Sequence, residues 1–426
     1  MSSILPQRHQ RELPLERLIL AEAPGAEAIE MDVLFVGAGP AGLAGAIELA
    51  HLVKRDQAAG GGMPDLNIAV LEKAGSLGEH NLSGAVINPR SLRELFPDLK
   101  DADFPFRQAV TAESVHYLTS SGSVRIPTPP TMHNAGFYTA SICELVRWLG
   151  EQAEALGVNL FPGFPVDGLL VEGTAVRGVR TTPSGLDREG QPGSGYQAPT
   201  DLTGRVTVLS EGTRGPLAQA WQRWRGVGSA NPQIFALGVK EVWKTKRPLD
   251  RIIHTMGWPL PSDAFGGSFF YPLGPDQAAL GLVVGLDYHD ATLDVHSLLQ
   301  RLKLHPLIRP WLEGGSYSNG GRRRFPRGAT TPFLPSGMAT GCSSSVTRPV
   351  SSTSRRSRGS TTRSSRGSTP RAPSSRPSGP MTCRPIASRR TTGWSTRAIS
   401  PRTSTGPATC DSRSGTGSWR ADSRPG

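Results

Sequence analysis

The sequence predicts an α/β protein, α+β overall, built on a parallel βαβ unit and ending in a long low-complexity tail. Three observations carry this prediction. A strand, a glycine turn, an Ala-rich helix and a second strand follow one another between residues 33 and 71. Further apolar runs of strand length recur as far as residue 284. From Gly321 to Gly426 the composition changes, with 20 Arg and 23 Ser in 106 residues and neither Lys nor Glu.

Met1 to Glu30 reads as a polar leader with a short helical stretch around Glu12–Leu20. Val33-Leu34-Phe35-Val36 is a buried strand that ends at Gly37, and a helix follows from about Pro40 to Lys54. Arg55 to Asn67 is a Gly-rich polar excursion before the strand Ile68-Ala69-Val70-Leu71. The right-handed crossover of such a unit makes a parallel sheet. Ser141-x-x-Glu144 has capping-box spacing, and Leu145, Val146, Leu149, Ala153 and Leu156 fall near one helical face, with Gly157 as C-cap. Leu169–Val171, Val206–Leu209 and Leu280–Val284 read as strands, and a short helix after His305 ends at Gly314. No internal repeat emerges.

Charge divides the chain as sharply as composition. The tail holds 20 Arg against Asp411 and Asp422, a net +18; the whole chain carries +12, so residues 1–320 carry −6. A mildly acidic globular part therefore precedes a basic tail. Low hydrophobicity and one-signed charge make disorder the expectation for 321–426. Cys143, Cys342, Cys383 and Cys410 match no C-x-x-C metal site, and without a secretory segment a disulfide framework is not expected. The first thirty residues lack an apolar h-region, and no run of about 18 apolar residues occurs. Any membrane contact is expected to be peripheral.

Gly37-Ala38-Gly39-Pro40-Ala41-Gly42 satisfies the dinucleotide fingerprint G-x-G-x-x-G in its required place between strand and helix. The first glycine permits a tight turn, the second lets backbone approach a pyrophosphate, and the third allows close helix–strand packing. Helix N–H groups then face the negative charge. Glu72 ends the second strand, where a carboxylate accepts ribose hydroxyls; the Arg55–Asn67 insertion accounts for its late position. This predicts a Rossmann-type domain. The pattern alone does not separate FAD from NAD.

With these residues in hand a wider resemblance becomes specific. The Gly37–Leu43 segment, Leu71-Glu72-Lys73, the run from Gly78 to Ala85 (GEHNLSGA) and the run from Trp148 to Val158 (WLGEQAEALGV) resemble the electron-transfer flavoprotein:ubiquinone oxidoreductase family. So do Gly257-Trp258-Pro259-Leu260, Phe265-Gly266-Gly267-Ser268-Phe269 and the run from Leu280 to Tyr288 (LGLVVGLDY). The match covers roughly residues 30–315 in order. It implies FAD, a [4Fe-4S] cluster, and electron transfer from reduced electron-transfer flavoprotein to membrane ubiquinone. It also implies FAD contacts along Gly37, Ala38, Gly39, Pro40, Ala41 and Gly42, and at Glu72 and Lys73. Further FAD contacts fall at Ser83 and Gly84, near the isoalloxazine ring, and at Glu211 and Gly212 after the strand Val206–Leu209. Gly266 and Gly267 match the quinone-contacting pair, where absent side chains let a flat head group rest on backbone.

Without the resemblance, Ser83-Gly84 reads as a polar loop, Ser210-Glu211-Gly212 as a strand-ending turn, and Gly266-Gly267 as a turn entering a strand. The flavin carries the chemistry, so no catalytic residue is assigned; His80, His133 and His254 are available proton donors only. The implied arrangement is an FAD-binding domain over about 31–165 and 200–230, with an inserted mixed-sheet quinone-binding domain over about 231–315. The expected setting is the inner, cytoplasmic membrane surface of a bacterium or its mitochondrial equivalent.

The tail departs from the family. Its cysteines offer no C-x-x-C-x-x-C set, so no metal ligand is assigned although the family implies a cluster. The expectation is a reading frame that slips near Ser316–Arg322. Serine written TCN, read one base earlier, gives Phe, Leu, Ile or Val. Applied to Ser343–Gly359, that shift permits three apolar residues, G-D-S-A-G, two more apolar residues and N-V-P-K-I-K-G. A strand followed by G-D-x-A-G is the superfamily's third flavin segment, and its loss implies an impaired copy. Two rivals stay open: another FAD enzyme of this architecture, such as an aromatic hydroxylase or isoprenoid reductase, and nucleic-acid binding through the arginines, for which no specific target is expected.

Overall fold

A computed structural model describes residues 12–228, 234–327 and 342–344 of the chain. It opens with α1 (Leu15–Leu18), β1 (Ile19–Leu20), β2 (Ile29–Val36), α2 (Pro40–Ala58), β3 (Ile68–Glu72), β4 (Ser83–Ile87) and α3 (Arg90–Leu95). Then follow β5 (Phe106–Ala109), β6 (Glu113–Leu118), β7 (Ser123–Ile126), β8 (Tyr138–Ser141), α4 (Ile142–Ala155), β9 (Asn159–Pro162), β10 (Val166–Glu172) and β11 (Ala175–Thr181). A hairpin of β12 (Ser184–Leu186) and β13 (Pro192–Gln197) leads to β14 (Asp201–Leu209) and α5 (Pro216–Trp224). The remainder comprises β15 (Ile234–Lys244), β16 (Ile252–Gly257), β17 (Gly266–Pro272), β18 (Gln277–Gly285), α6 (Val295–Lys303), α7 (Arg309–Leu312), β19 (Ser316–Arg327) and β20 (Cys342–Ser344).

The first sheet runs β1-β10-β11-β14-β2-β3-β9, with β20 beside β14. Its centre, β14-β2-β3-β9, is parallel. The βαβ unit is therefore present, with strands that bury both faces, which is why Val33–Val36 and Ile68–Leu71 read as unbroken apolar runs. One face carries α2 and α4 through Phe35, Leu43, Ile47, Val146 and Leu149. The opposite face packs Leu34, Leu71, Leu169, Leu202 and Trp221. α2 starts where Gly39 caps and Pro40 takes the first helical position, and it runs four residues past the expected Lys54. α4 starts at the expected cap, where Glu144 N donates to Ser141 Oγ at 3.4 Å; the reciprocal half of the capping box is not made, since the Glu144 carboxylate pairs with Arg107, and Gly157 follows with φ +88.

The short helix expected around Glu12–Leu20 is present as α1, and it packs onto the first sheet. Leu18 is buried, and Ile19-Leu20 pair in parallel with Leu169-Leu170. A two-residue strand has no periodicity of its own; its partners lie far along the sequence, which is why the segment reads as polar surroundings for a short helix.

The second sheet runs β19-β15-β18-β17-β16-β6-β7. It is antiparallel except between β16 and β6, and α6 packs on one face through Leu298, Leu299 and Leu302. β6 and β7 come from residues 113–126, so this layer draws on chain that the sequence division placed wholly with the dinucleotide-binding part. β19 pairs with β15 as far as Arg327, so the compositional border at 321 falls inside a strand. A third sheet, β4-β8-β5, is small, and its β4 packs against β17 and β18. The disorder expected for the tail concerns residues almost wholly outside those described.

Candidate functional site

The turn between β2 and α2 is built by its neighbours. Gly37 has φ +108, and a Cβ there would stand 2.6 Å from the Ser210 carbonyl oxygen. A Cβ on Gly42 would strike the Gly37 carbonyl oxygen and the Ser210 hydroxyl. Ser210 Oγ donates toward the Val36 and Gly37 carbonyls at 2.9 and 2.8 Å, locking β14 to the turn. Both glycines are thus required by packing. Gly39 differs: a Cβ there meets nothing within 4 Å. Its open flank lies at the start of a 19-residue helix with no side-chain cap and no acid in its first turn. Unfilled space, N–H groups and the positive end of a helix dipole together suit a pyrophosphate. Ala38, Pro40 and Ala41 complete this corner.

Glu72 lies at the carboxyl end of β3, with its side chain 14% exposed. Its carboxylate accepts Ala38 N–H at 3.1 Å and Ala74 N–H at 2.9 Å, while His80 Nδ1 stands 3.9 Å away. The acid and the glycine turn are therefore one unit at adjacent strand ends. Lys73 is exposed, and its charge reaches Glu211. Glu211 accepts from Ala218 N at 2.8 Å and Leu217 N at 3.2 Å, at the start of α5. Burial pushes its carboxyl up, against the pull of those N–H groups and of Lys73. Gly212 follows with φ +88, a conformation that β-carbon sterics reserve largely for glycine.

Ser83 and Gly84 open β4. Ser83 Oγ pairs with Ser141 Oγ at 2.8 Å and reaches Cys143 Sγ at 3.2 Å; that thiol in turn donates to Asn81 O at 3.0 Å. Gly84, at φ +84, presses on the second sheet, where an added Cβ would stand 2.5 Å from Ala279 Cβ and 3.7 Å from Lys240 Nζ. Sequence reasoning assigned nothing to Lys240. Its isolation arises only where β4 meets β15.

Gly266 and Gly267 begin β17, and each has a packing reason for lacking a side chain. A Cβ on Gly266 would strike the Val283 carbonyl, and one on Gly267 the Thr255 carbonyl. Neighbouring Phe265 is 65% exposed. Farther along, Tyr271 OH meets His254 Nε2 at 2.8 Å, and burial pulls His254 down to about 4, with Glu113 opposing. His254 is thus the neutral imidazole at ordinary pH. His133 sits instead on Glu113, at 3.0 Å. Among the described residues no group of three or more His, Cys, Asp or Glu could hold a metal.

The family description "ETF-QO, ubiquinone-binding" matches residues 235–324, the stretch containing Gly266 and Gly267. The chain is 39% identical over 332 residues to the mitochondrial electron transfer flavoprotein-ubiquinone oxidoreductase of Dictyostelium discoideum, covering 76% of this chain and 54% of that protein. To the Pseudomonas aeruginosa electron transfer flavoprotein-ubiquinone oxidoreductase it is 38% identical over 330 residues, covering 74% and 59%. The chain therefore spans little more than half the length of these curated relatives. In fold it is similar to a geranylgeranyl bacteriochlorophyll reductase-like protein of Thermoplasma acidophilum, with TM-score 0.51, 16% identity, and 70% and 66% of the two chains covered. Over the matched stretch, the chain is similar to the electron transfer flavoprotein-ubiquinone oxidoreductase family.

Proposed function

We propose that this chain is an FAD-binding oxidoreductase of the electron-transfer flavoprotein to ubiquinone class, in an impaired form. The observation that carries the cofactor reading is Gly39, a glycine with open space at a helix N-terminus, flanked by two glycines that packing demands. Gly37, Ala38, Gly39, Pro40, Ala41 and Gly42 hold the pyrophosphate through backbone N–H groups, and Glu72 takes the ribose while bracing the turn. Lys73 offsets the buried Glu211 carboxylate, and Glu211 with Gly212 shapes the second approach to the ring. Ser83 and Gly84 place the ring against the second sheet. Bound flavin supplies the one- and two-electron chemistry. Gly266 and Gly267 offer backbone to a quinone head group, and exposed Phe265 suits its apolar tail or the membrane surface. No helix among the described residues is long and apolar enough to cross a membrane; the attachment is proposed to be peripheral, at the inner face.

The [4Fe-4S] cluster of the family reading does not fit. The tail cysteines lack the C-x-x-C-x-x-C spacing, and among the described residues no group of three or more His, Cys, Asp or Glu could hold a metal.

A disrupted reading frame accounts for both this loss and the arginine tail. β20, Cys342–Ser344, pairs in parallel with Thr207–Leu209 of β14. A strand of the dinucleotide-binding sheet is where the shifted frame places its apolar residues, just before G-D-S-A-G. Sequencing the coding DNA tests this directly, and a shifted frame unable to give G-D-x-A-G removes it.

The cofactor reading is tested on the full chain by thermal melting with FAD or NADH. FAD is expected to raise the melting temperature and NADH to leave it unchanged. Gly39→Val is expected to fold without ligand, because its Cβ enters open space, with a melting temperature lowered only by the poorer helix cap, and to lose the FAD response. A folded wild-type chain indifferent to FAD overturns the assignment.

A further inference from the structure

Strand alternation sorts the side chains of β15 onto two faces. Glu241 faces α6, where its carboxylate accepts from Lys303 Nζ at 3.0 Å and from Gln300 Nε2 at 3.0 Å. Lys240 therefore points to the opposite face, the one on which Val242 and Ala279 pack and against which Gly84 presses. It is 6% exposed. Its Nζ has no hydrogen-bond partner among the described residues.

A buried ammonium carries three donors and a full charge, and leaving both unanswered is strongly unfavourable. A residue needed only to fill this space would be apolar, since replacing a buried charge by a hydrophobe of similar volume commonly stabilises. No described residue accepts from it, and a bound ligand can supply the missing acceptor. The location says which one. Lys240 Nζ borders the Ser83-Gly84 corner, 3.7 Å from where a Gly84 Cβ would stand, on the side where that corner meets the second sheet.

We propose that Lys240 is a cofactor-binding residue whose ammonium donates to the polar edge of the flavin ring and sets a positive charge beside it. Lys240 makes and breaks no bond. Reduced flavin holds more negative charge on that edge than oxidised flavin, so the ammonium favours the reduced form. The assignment deepens the FAD reading above and rests on it.

The test uses the full chain with Lys240→Met and Lys240→Arg. Binding of oxidised FAD is followed by quenching of its fluorescence, and the midpoint potential is titrated against a reference dye. Lys240→Met is expected to weaken oxidised FAD severalfold and reduced FAD a further tenfold, which lowers the two-electron potential by about 30 mV. Lys240→Arg, which keeps the charge, is expected to hold the potential closer to the wild type than Lys240→Met does. Without FAD, Lys240→Met is expected to melt above the wild type, because an unpaired buried charge has been removed. Equal affinity and potential in wild type and Lys240→Met would overturn the assignment, as would a lower melting temperature for that variant, which marks a structural role. A folded wild type that binds no FAD overturns the cofactor reading itself; a wild type that binds, with no difference in the variant, overturns only Lys240.

Discussion

Lys240 and the fingerprint glycines show how a residue's role depends on what stands beside it. Burial pulls the Lys240 ammonium down to about 8, with Cys143 opposing. The unfolded chain keeps that proton up to about 10.5 and the folded chain releases it near 8, so the unfolded state binds more protons between the two. Stability without cofactor is therefore expected to rise from pH 8 to 10.5, and the penalty is fully present below 8, on the order of 3 kcal/mol. Urea denaturation of wild type and Lys240→Met at pH 7 and 10 checks this: the gap favouring the variant should narrow at pH 10. His254 carries the same sign at lower pH, with its penalty growing from about 6.5 down to about 4. The glycine fingerprint was legible as letters, and so was the role of Glu72 as a strand-ending acid. That Gly37 and Gly42 answer to Ser210, while Gly39 answers to open space, was not. Ser210 lies more than 160 residues away in the chain.

At the scale of elements, local rules served wherever the signal was local. The Ser141 cap and the apolar face of α4 appear in the folded chain where the spacing put them. Ser141→Ala is expected to destabilise by about 1 kcal/mol as a lost cap, and by more here because Ser141 Oγ also meets Ser83 Oγ. Leu149→Ala, in the core between α2 and α4, is expected to destabilise by about 2–5 kcal/mol. Chemical denaturation measures both. α6 went unread, although Asp294 caps it through His296 and Ser297 and Val295, Leu298, Leu299 and Leu302 are its buried face; nine residues are short for a period to stand out. β1 lay beyond any local rule, since its two residues are a strand only through Leu169 and Leu170.

Across the whole molecule, the two main sheets share chain segments that the sequence division had kept apart, because β6 pairs with β16 across more than a hundred residues. Residues 15–20 likewise belong to the packed fold. Deleting residues 1–20 removes β1 and the buried Leu18, whose burial alone contributes roughly 2 kcal/mol. The deletion is expected to lower the melting temperature by at least about 4 °C. An unchanged melting temperature would show that residues 1–20 add nothing to the stability of the fold.

The sequence by itself determined the βαβ unit, the fingerprint corner, the position of Glu72 and the family resemblance, because each rests on neighbours in the chain or on an ordered run of motifs. Tertiary structure alone decided that Ile19 and Leu20 join the sheet, that β6 and β7 belong to the second layer, and that Lys240 stands buried beside Gly84 with no partner among the described residues. The physical reason is the same in each case. Burial and pairing are properties of surfaces brought together by folding, and residues far apart along a chain carry no local mark of the partner they will meet.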